Sequence, residues 1–234
     1  MDAKEVKEAL AREARREPKH HLKTGKSSHT EQEPTLGIPI TEQRRIAKHH
    51  ARLSSKETVR LLQSKVYEHR MTALLIMIEH YRKAGPKTRR GIHRTYLAHM
   101  RRVNTQDLVD TSAPILIGEH LLDKKDRRIL YKLARGTVWE KRAALMATKT
   151  FIRHGETDDA LRLAEIFLAE QQDPIQEAVG RMLGEIGKRV SQKAENEFLE
   201  AHHDDMPHTV LEYATRHLSK EERKRHLNGH GKRR

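Results

Sequence analysis

Apolar residues recur at spacings of three and four along nearly the whole chain after Leu36. This spacing places apolar side chains on one face of an α-helix. Strand-like alternation of β-branched residues is absent from the sequence. The pattern therefore predicts an all-α protein. The clearest runs are Val59, Leu62 and Val66, then Met71, Leu74, Leu75 and Ile78, and then Leu161, Ala164, Ile166 and Leu168.

Short breaks interrupt the apolar pattern at regular intervals. Most of them contain glycine or proline, which end or begin helices. Their spacing predicts about a dozen helices of roughly ten to fifteen residues, joined by tight connections. The breaks include Gly85-Pro86, Arg135-Gly136, Gly155-Glu156, Asp173-Pro174 and Met206-Pro207.

An internal repeat is visible once these helices are marked. Residues 66–74 and 138–146 share the order Val, aromatic, Glu, any residue, Arg and then an apolar stretch. Their offset of 72 residues is two units of 36, and residues 173–179 open a further helix in the same register. A helix-pair repeat of this length is typical of HEAT-like arrays. We expect a solenoid of about six antiparallel helix pairs with a concave basic face.

The two ends of the chain differ from the repeat region. Residues 1–35 begin with an amphipathic stretch and continue without periodicity, so we expect an N-terminal amphipathic and mobile segment. The HEAT-like repeat domain is predicted over 36–227, followed by a basic tail over 228–234.

Charge sets the expected class of partner. The chain has 47 Lys and Arg against 33 Asp and Glu, a formal net charge of +14. Such an excess indicates a polyanionic partner, most often nucleic acid or an anionic membrane surface. Apolar residues make up 35% of the sequence and aromatic residues 4%, so the core must be thin and aliphatic.

Composition excludes several other classes of site. The chain contains no cysteine, which removes disulfides, thiolate zinc sites and cysteine nucleophiles. No apolar run approaches the roughly 18 residues of a membrane span, and the N-terminal residues are too charged for a signal peptide. We expect a monomer in the cytoplasm, associated with the nucleoid and not with a membrane.

Two motifs suggest chemistry that their context does not favour. Residues 153–157 spell the RHGET motif of histidine phosphatases, but the motif ends a predicted helix and has no βαβ pattern around it. Residues 202–205 place two histidines beside two aspartates, and adjacent residues on a helix cannot all face one ion. We expect no metal and no cofactor.

Five stretches, in order and at helical-repeat spacing, resemble the AlkD-like DNA alkylation-repair proteins over residues 36–227. The opening stretch is LGIPITEQRRIAK at 36–48, and NTQDLVDTSAPILIGEHLL at 104–122 is similar to the family's central NxWDLVD segment. WEKRAALMATKTFIR at 139–153 and AEIFLAEQQDPIQEAVGRMLGEIGK at 164–188 follow. MPHTVLEYATRHLSKEERKRHL at 206–227 resembles the closing MPRTxLRYA element.

The resemblance implies a HEAT-like protein that cradles duplex DNA and excises N3- or N7-alkylated purines without flipping the base. The implied catalytic carboxylate is Asp110, the last residue of DLVD, and Arg142 would hold a backbone phosphate. Trp139, Gln106 and Arg181 are implied DNA contacts, as are His208, Arg45 and Lys48.

Three of these assignments have a structural alternative. Asp110 could be a helix-surface carboxylate or form a structural ion pair with Arg101 or Arg142. Arg142 recurs as Arg70 in the repeat register, so it could instead stabilise the repeat. Trp139 recurs as Tyr67 and could be an aromatic plug between helices.

Several functional positions of the family carry other residues in this chain. The tryptophan of NxWD is Gln106, and the KAVGWxLRE segment has Glu177, Arg181 and Gly184 in place of its lysine, tryptophan and arginine. His208 and Glu212 replace two arginines of the closing element. Loss of both tryptophans removes aromatic faces that favour a cationic sugar. One alternative hypothesis is a DNA-binding relative with weak or no catalysis, and another is a HEAT-type scaffold that binds an acidic protein.

Overall fold

The computed structural model describes residues 1–16 and 33–229 and divides the chain into two compact units, Met1–Ser112 and Ala113–Arg234. The described residues form thirteen α-helices and contain no strand. The prediction of an all-α protein is confirmed. None of the described helices has the length and apolar character needed to cross a membrane.

The first unit is built around one central helix, α4, in which twelve of 17 residues are buried. The helices α1, α2, α3 and α5 all pack against α4. The helices of this unit are α1 (Ala3–Arg16), α2 (Ile40–His49), α3 (Ser55–Leu62), α4 (Tyr67–Lys83), α5 (Pro86–Ala98) and α6 (Gln106–Ala113), with a 3₁₀ turn at Met100–Arg102.

The N-terminal helix contributes to the core of this unit. Val6 and Leu10 of α1 are completely buried, and α1 packs on α2, α3 and α4. The backbone N–H of Ala3 donates to the Glu57 carboxylate of α3 at 3.0 Å, which ties down the start of α1. The amphipathic stretch predicted at the N-terminus is therefore a packed helix. Most of the connector predicted to be mobile, residues 17–32, lies outside the described residues.

The second unit is built around two long helices, α8 and α10, which pack on each other. A π-helical segment, Pro114–Glu119, and α7 pack on α8, while α11 and α12 pack on α10. The helices of this unit are α7 (Arg128–Leu133), α8 (Val138–Arg153), α9 (Asp158–Ile166), α10 (Asp173–Arg189), α11 (Gln192–Ala201), α12 (His208–Ala214) and α13 (Lys220–Gly229), with a 3₁₀ turn at Thr215–His217.

The predicted helix boundaries follow from local signals in the sequence. Thr137 and Glu140 form a reciprocal capping box at the start of α8, which satisfies two backbone N–H groups that a helix start leaves unpaired. Gly155 follows the end of α8 with φ 83°, a left-handed conformation that glycine adopts without strain. The RHGET motif is thus the C-terminus of a helix, as the sequence predicts.

Candidate nucleic-acid interface

The helix α6 presents the two candidate residues of the central motif on one face. Asp110 lies four residues after Gln106, which is one helical turn, so the two side chains are neighbours along the same face. Both are half-buried, whereas Leu108 and Val109 between them are fully buried. The apolar residues therefore turn the face with Asp110 partly towards solvent.

A chain of hydrogen bonds from α5 fixes the orientation of α6. The Ser112 hydroxyl donates to the Leu108 carbonyl at 2.6 Å, so it accepts from the Tyr96 hydroxyl at 2.8 Å. Tyr96 is completely buried. Its burial, with a smaller contribution from the charge of Asp110, raises the pKa of the Tyr96 phenol. The phenol therefore stays protonated and keeps its donor role.

The helical hydrogen-bond pattern is interrupted directly after Asp110. Pro114 has no N–H and cannot donate to the carbonyl of Asp110, four residues earlier, as an α-helix requires. The backbone passes into π-helical geometry at Pro114–Glu119. Single π-helical turns within helices are frequent at functional sites. The candidate carboxylate thus lies within α6, one helical turn before the π-helical segment.

The helix α8 places Arg142 and Trp139 in different environments. Arg142 is fully buried, and its Nη1 donates to the backbone carbonyl of Pro174 at the start of α10. Its repeat counterpart Arg70 is 1% exposed and donates to the Lys65 carbonyl at 3.0 Å. Both arginines therefore form hydrogen bonds within their own units, which favours the structural alternative for Arg142, and its contact with a DNA phosphate stays a prediction. Trp139 is half-buried.

On α10, Arg181 occupies the position of a family tryptophan and is held by its neighbours. Its guanidinium pairs with Glu177 one turn earlier and lies 5.6 Å from the ring centroid of Tyr213 on α12. The side chain remains 42% exposed. This arrangement offers a cation, where the family residue would offer an aromatic face.

The remaining candidate residues are exposed. His208 is the first residue of α12. Arg45 and Lys48 lie on α2, and Arg45 is paired with Glu42 at 2.6 Å and Glu13 at 3.0 Å. The hydrogen bond to Glu42 is the main cause that raises the Arg45 pKa. Lys48 therefore remains the more available cation of the two.

Positive charge is distributed unevenly along the chain. Residues 1–112 carry 24 Lys and Arg against 13 Asp and Glu, a net charge of +11, whereas residues 113–234 carry 23 against 20, a net charge of +3. Within the first unit, residues 80–106 contain eight Lys and Arg and no Asp or Glu. We call these residues the acid-free stretch. Residues 80–103 of this stretch lie outside the five family-like motifs, and only its last three residues belong to the central motif.

A cavity of about 1000 Å³ lies elsewhere in the second unit, beside the RHGET motif. Arg127 lines this cavity and pairs there with Asp159 at 2.9 Å and Glu156 at 2.7 Å. The lining residues include five cations and five carboxylates. Because the two signs balance, this cavity is a poor match for a polyanion.

Comparison with known proteins agrees with the helical architecture and the motifs. A family model described as "DNA alkylation repair enzyme" matches residues 5–218. A solved structure, a predicted DNA alkylation repair enzyme from Enterococcus faecalis, is similar with a TM-score of 0.62 and 14% identity, over 80% of this chain and 89% of that chain. No curated protein matches the sequence. Since the family model spans most of its length, the chain belongs to the DNA alkylation repair enzyme family.

Proposed function

We propose that the protein binds duplex DNA and releases N3- or N7-alkylated purines as a DNA N-glycosylase, with Asp110 as the catalytic carboxylate. Family membership supports DNA as the partner, and the net charge of +14 supports a polyanion independently. The same activity without base flipping is implied by the resemblance of the central motif.

The chemistry needs only one carboxylate because the leaving group is activated by alkylation. An N7-alkylated guanine carries a positive charge, which the electron pair of the breaking C1′–N9 bond neutralises. The positive charge then develops on the sugar as an oxocarbenium ion. A fixed carboxylate stabilises this cation electrostatically, and water adds to C1′ with loss of a proton. No general acid is required.

The placement of Asp110 carries this proposal. Its side chain is half-buried on a helix whose opposite side is anchored by Tyr96 and Ser112. A carboxylate held on a rigid helix stabilises developing charge without reorganising, which is the condition for an electrostatic contribution to catalysis. The irregular backbone step at Pro114 follows directly.

A second candidate function is DNA binding with weak catalysis, and the residues at two family tryptophan positions favour it. Gln106 provides no aromatic face one turn before Asp110. Arg181 keeps a positive charge in an ion pair with Glu177. Neither residue stabilises a cationic sugar, so we expect slow base release.

The test is release of 7-methylguanine from a methylated duplex under single-turnover conditions. Asp110→Asn should lower the rate by roughly a hundredfold, the effect of removing one electrostatic contact to a transition state. Asp107→Asn, which removes an exposed carboxylate from the same helix but leaves an amide oxygen to accept from the Tyr67 hydroxyl, serves as the matched control and should retain the rate. Gln106→Trp should raise the rate, and adding Asp110→Asn should abolish that gain. A release rate unchanged by Asp110→Asn in both backgrounds would show that Asp110 is not catalytic.

A further inference from the structure

Three of the eight cations in the acid-free stretch are engaged within the protein. Arg89 donates from Nε to the Tyr81 carbonyl at 3.0 Å, at the C-terminus of α4. Arg102 donates to the Gln63 and Ser64 carbonyls at 2.9 and 2.6 Å. Lys83 lies 3.6 Å from the carboxylate of Glu79.

The other five cations are exposed, and none of them forms an ion pair with another residue that the structure describes. Three of these lie on α5 at positions i, i+3 and i+7, which is one stripe along the helix. The stripe is about 10 Å long at 1.5 Å per residue. Lys87, Arg90 and Arg94 form this α5 stripe, and Arg82 and Arg101 flank it along the chain.

The buried side of α5 fixes the direction in which the stripe points. Tyr96 is completely buried and His93 is 7% exposed. The Tyr96 hydroxyl donates to Ser112, and Arg89 ties the helix to the end of α4. The stripe is thus presented on a rigid element, and its cations need no ordering of the backbone to bind.

We infer that the α5 stripe binds the phosphate backbone of duplex DNA, as a contact surface separate from the residues around Asp110. The inference rests on the proposed DNA-binding function. Two of the three residues are arginines, whose guanidinium donates paired hydrogen bonds to phosphate oxygens. The three cations span about 10 Å, a length over which duplex DNA carries about six charges, so each cation can reach a different phosphate.

The stripe fits DNA better than an anionic membrane surface. Helices that bind at a membrane surface bury large apolar side chains beside their cations. Among the described residues, the exposed large apolar side chains are Met1, Ile40, Ile166 and Val190, none of which lies on α5. The contact is therefore electrostatic alone, and it binds DNA irrespective of base sequence or alkylation.

The salt dependence of duplex binding tests the inference. A triple variant, Lys87→Gln, Arg90→Gln and Arg94→Gln, replaces the three exposed cations of the stripe with neutral side chains. Each lost phosphate contact should reduce the slope of log K against log salt by about 0.9, so the full stripe should reduce it by roughly 2.7. Fluorescence anisotropy with a labelled unmethylated duplex measures the slope, and circular dichroism verifies that the helical content is unchanged.

A matched control removes the same types of charge from the second unit. Lys132→Gln, Arg135→Gln and Arg153→Gln change one lysine and two arginines that are exposed and form no ion pair with a described residue. This control should change the slope by less than one contact. Equal reductions in the two triple variants would overturn the inference, because net charge and not the α5 stripe would then account for binding.

Two further outcomes separate this inference from the proposed function. If wild type binds duplex with a steep slope that the α5 variant retains, the stripe is not a DNA contact although DNA binding stands. If wild type shows no salt-dependent duplex binding, the proposed function fails at its first step. Loss of binding to phosphatidylserine vesicles in the α5 variant, with an unchanged slope for DNA, would assign the stripe to a membrane and overturn the inference.

Discussion

At the scale of single residues, two glycines, Gly180 and Gly184, allow α10 to pack closely on α12. A Cβ on Gly180 would lie 2.5 Å from the Val210 carbonyl oxygen, and one on Gly184 would lie 2.7 Å from the Ala214 carbonyl oxygen. Both contacts are with the backbone of α12, which cannot move aside as a flexible side chain can. The arginine that the family has at position 184 does not fit this packing. The family comparison identifies the departure but not its cause, because the contact joins positions 30 residues apart.

Substitution of Gly184 should therefore cost stability. Gly184→Ala forces α10 and α12 apart and should lower the free energy of unfolding by about 1–3 kcal/mol, the usual cost of overpacking. Gly91→Ala in α5 is the matched control, because nothing lies within 4 Å of a Cβ at that position. The control should raise stability by about 0.5–1 kcal/mol, since alanine favours a helix interior. Urea unfolding measures whether each substitution lowers or raises the free energy of unfolding. An unchanged or higher stability of Gly184→Ala would contradict the packing argument.

Buried charge is a second feature of single residues that periodicity does not reveal. Glu195 on α11 is completely buried, and burial raises the pKa of its carboxyl to about 8. The nearest basic group is His217, whose Nε2 lies 3.1 Å from Oε2. Helical periodicity marks a glutamate as solvent-facing by default, so the sequence does not predict that Glu195 is buried. The repeat register does offer a structural role for Arg70 and Arg142, which are both buried.

The raised pKa of Glu195 makes stability depend on pH in a defined direction. Between the ordinary carboxyl pKa of about 4.3 and the folded value near 8, the folded protein holds a proton that the unfolded chain has released. The contribution of Glu195 to stability should fall as pH rises through this window, by at most about 1.4 kcal/mol per pH unit. Burial lowers the pKa of His69 to about 4, which has the opposite effect on stability below pH 6.5, so the fall should be measured above pH 6.5. Glu195→Gln should flatten this dependence, whereas Glu197→Gln, at an exposed position of the same helix, should not. Urea unfolding across the window measures both slopes, and an equally steep fall in Glu195→Gln would assign the effect to another group.

At the scale of elements, the irregular backbone after α6 is maintained by α8. The Thr150 hydroxyl donates to the carbonyl of Pro114 at 2.6 Å, and both Pro114 and Thr150 are buried. The sequence pattern predicts helix on both sides of this point and marks no break at Pro114. A π-helical segment could not be predicted, because it depends on a hydrogen bond from a helix that begins 24 residues later at Val138.

Loss of this contact should destabilise the second unit. Thr150→Val removes the donor and leaves a buried carbonyl without that partner, which should cost about 1–3 kcal/mol in the free energy of unfolding. Thr148→Val is the matched control, since the Thr148 hydroxyl donates at 2.6 Å to Leu145, a carbonyl within its own helix. That carbonyl keeps its helical partner, so the cost should be clearly smaller. Equal losses from the two substitutions in urea unfolding would show that Pro114 does not depend on Thr150.

At the scale of the whole molecule, the net positive charge and the family-like motifs are distributed differently along the chain. The family motifs run from Leu36 to Leu227, but residues 80–106 alone contribute eight of the fourteen net positive charges. Net charge could be read from the sequence, as could the all-α fold and the family. The sequence could not show which cations are exposed and which are hydrogen-bonded or ion-paired within the protein. This depends on which carbonyls and carboxylates each side chain reaches.

This distribution leads to an expectation about how the whole protein selects its DNA. Phosphate contacts are made equally to damaged and undamaged duplex, and they supply most of the affinity of a protein with this charge. Aromatic contacts to an alkylated nucleotide would add a preference for alkylated over unmodified DNA, but Gln106 and Arg181 occupy the two family tryptophan positions. Because a cation–π contact is worth about 0.5–2 kcal/mol, its absence removes roughly 2- to 30-fold of possible discrimination.

Affinities for a 7-methylguanine duplex and an unmodified duplex of the same sequence should therefore agree within a few-fold, and both should weaken steeply with salt. Anisotropy titrations of the two duplexes at matched salt measure the ratio, with Gln106→Trp as the comparison variant. The substitution restores one aromatic face beside Asp110 and should increase the preference for the methylated duplex without changing the salt slope, since it removes no cation. A strong preference for methylated DNA in the unmodified protein would contradict this expectation, because it would require a lesion-recognising contact that Gln106 and Arg181 do not supply.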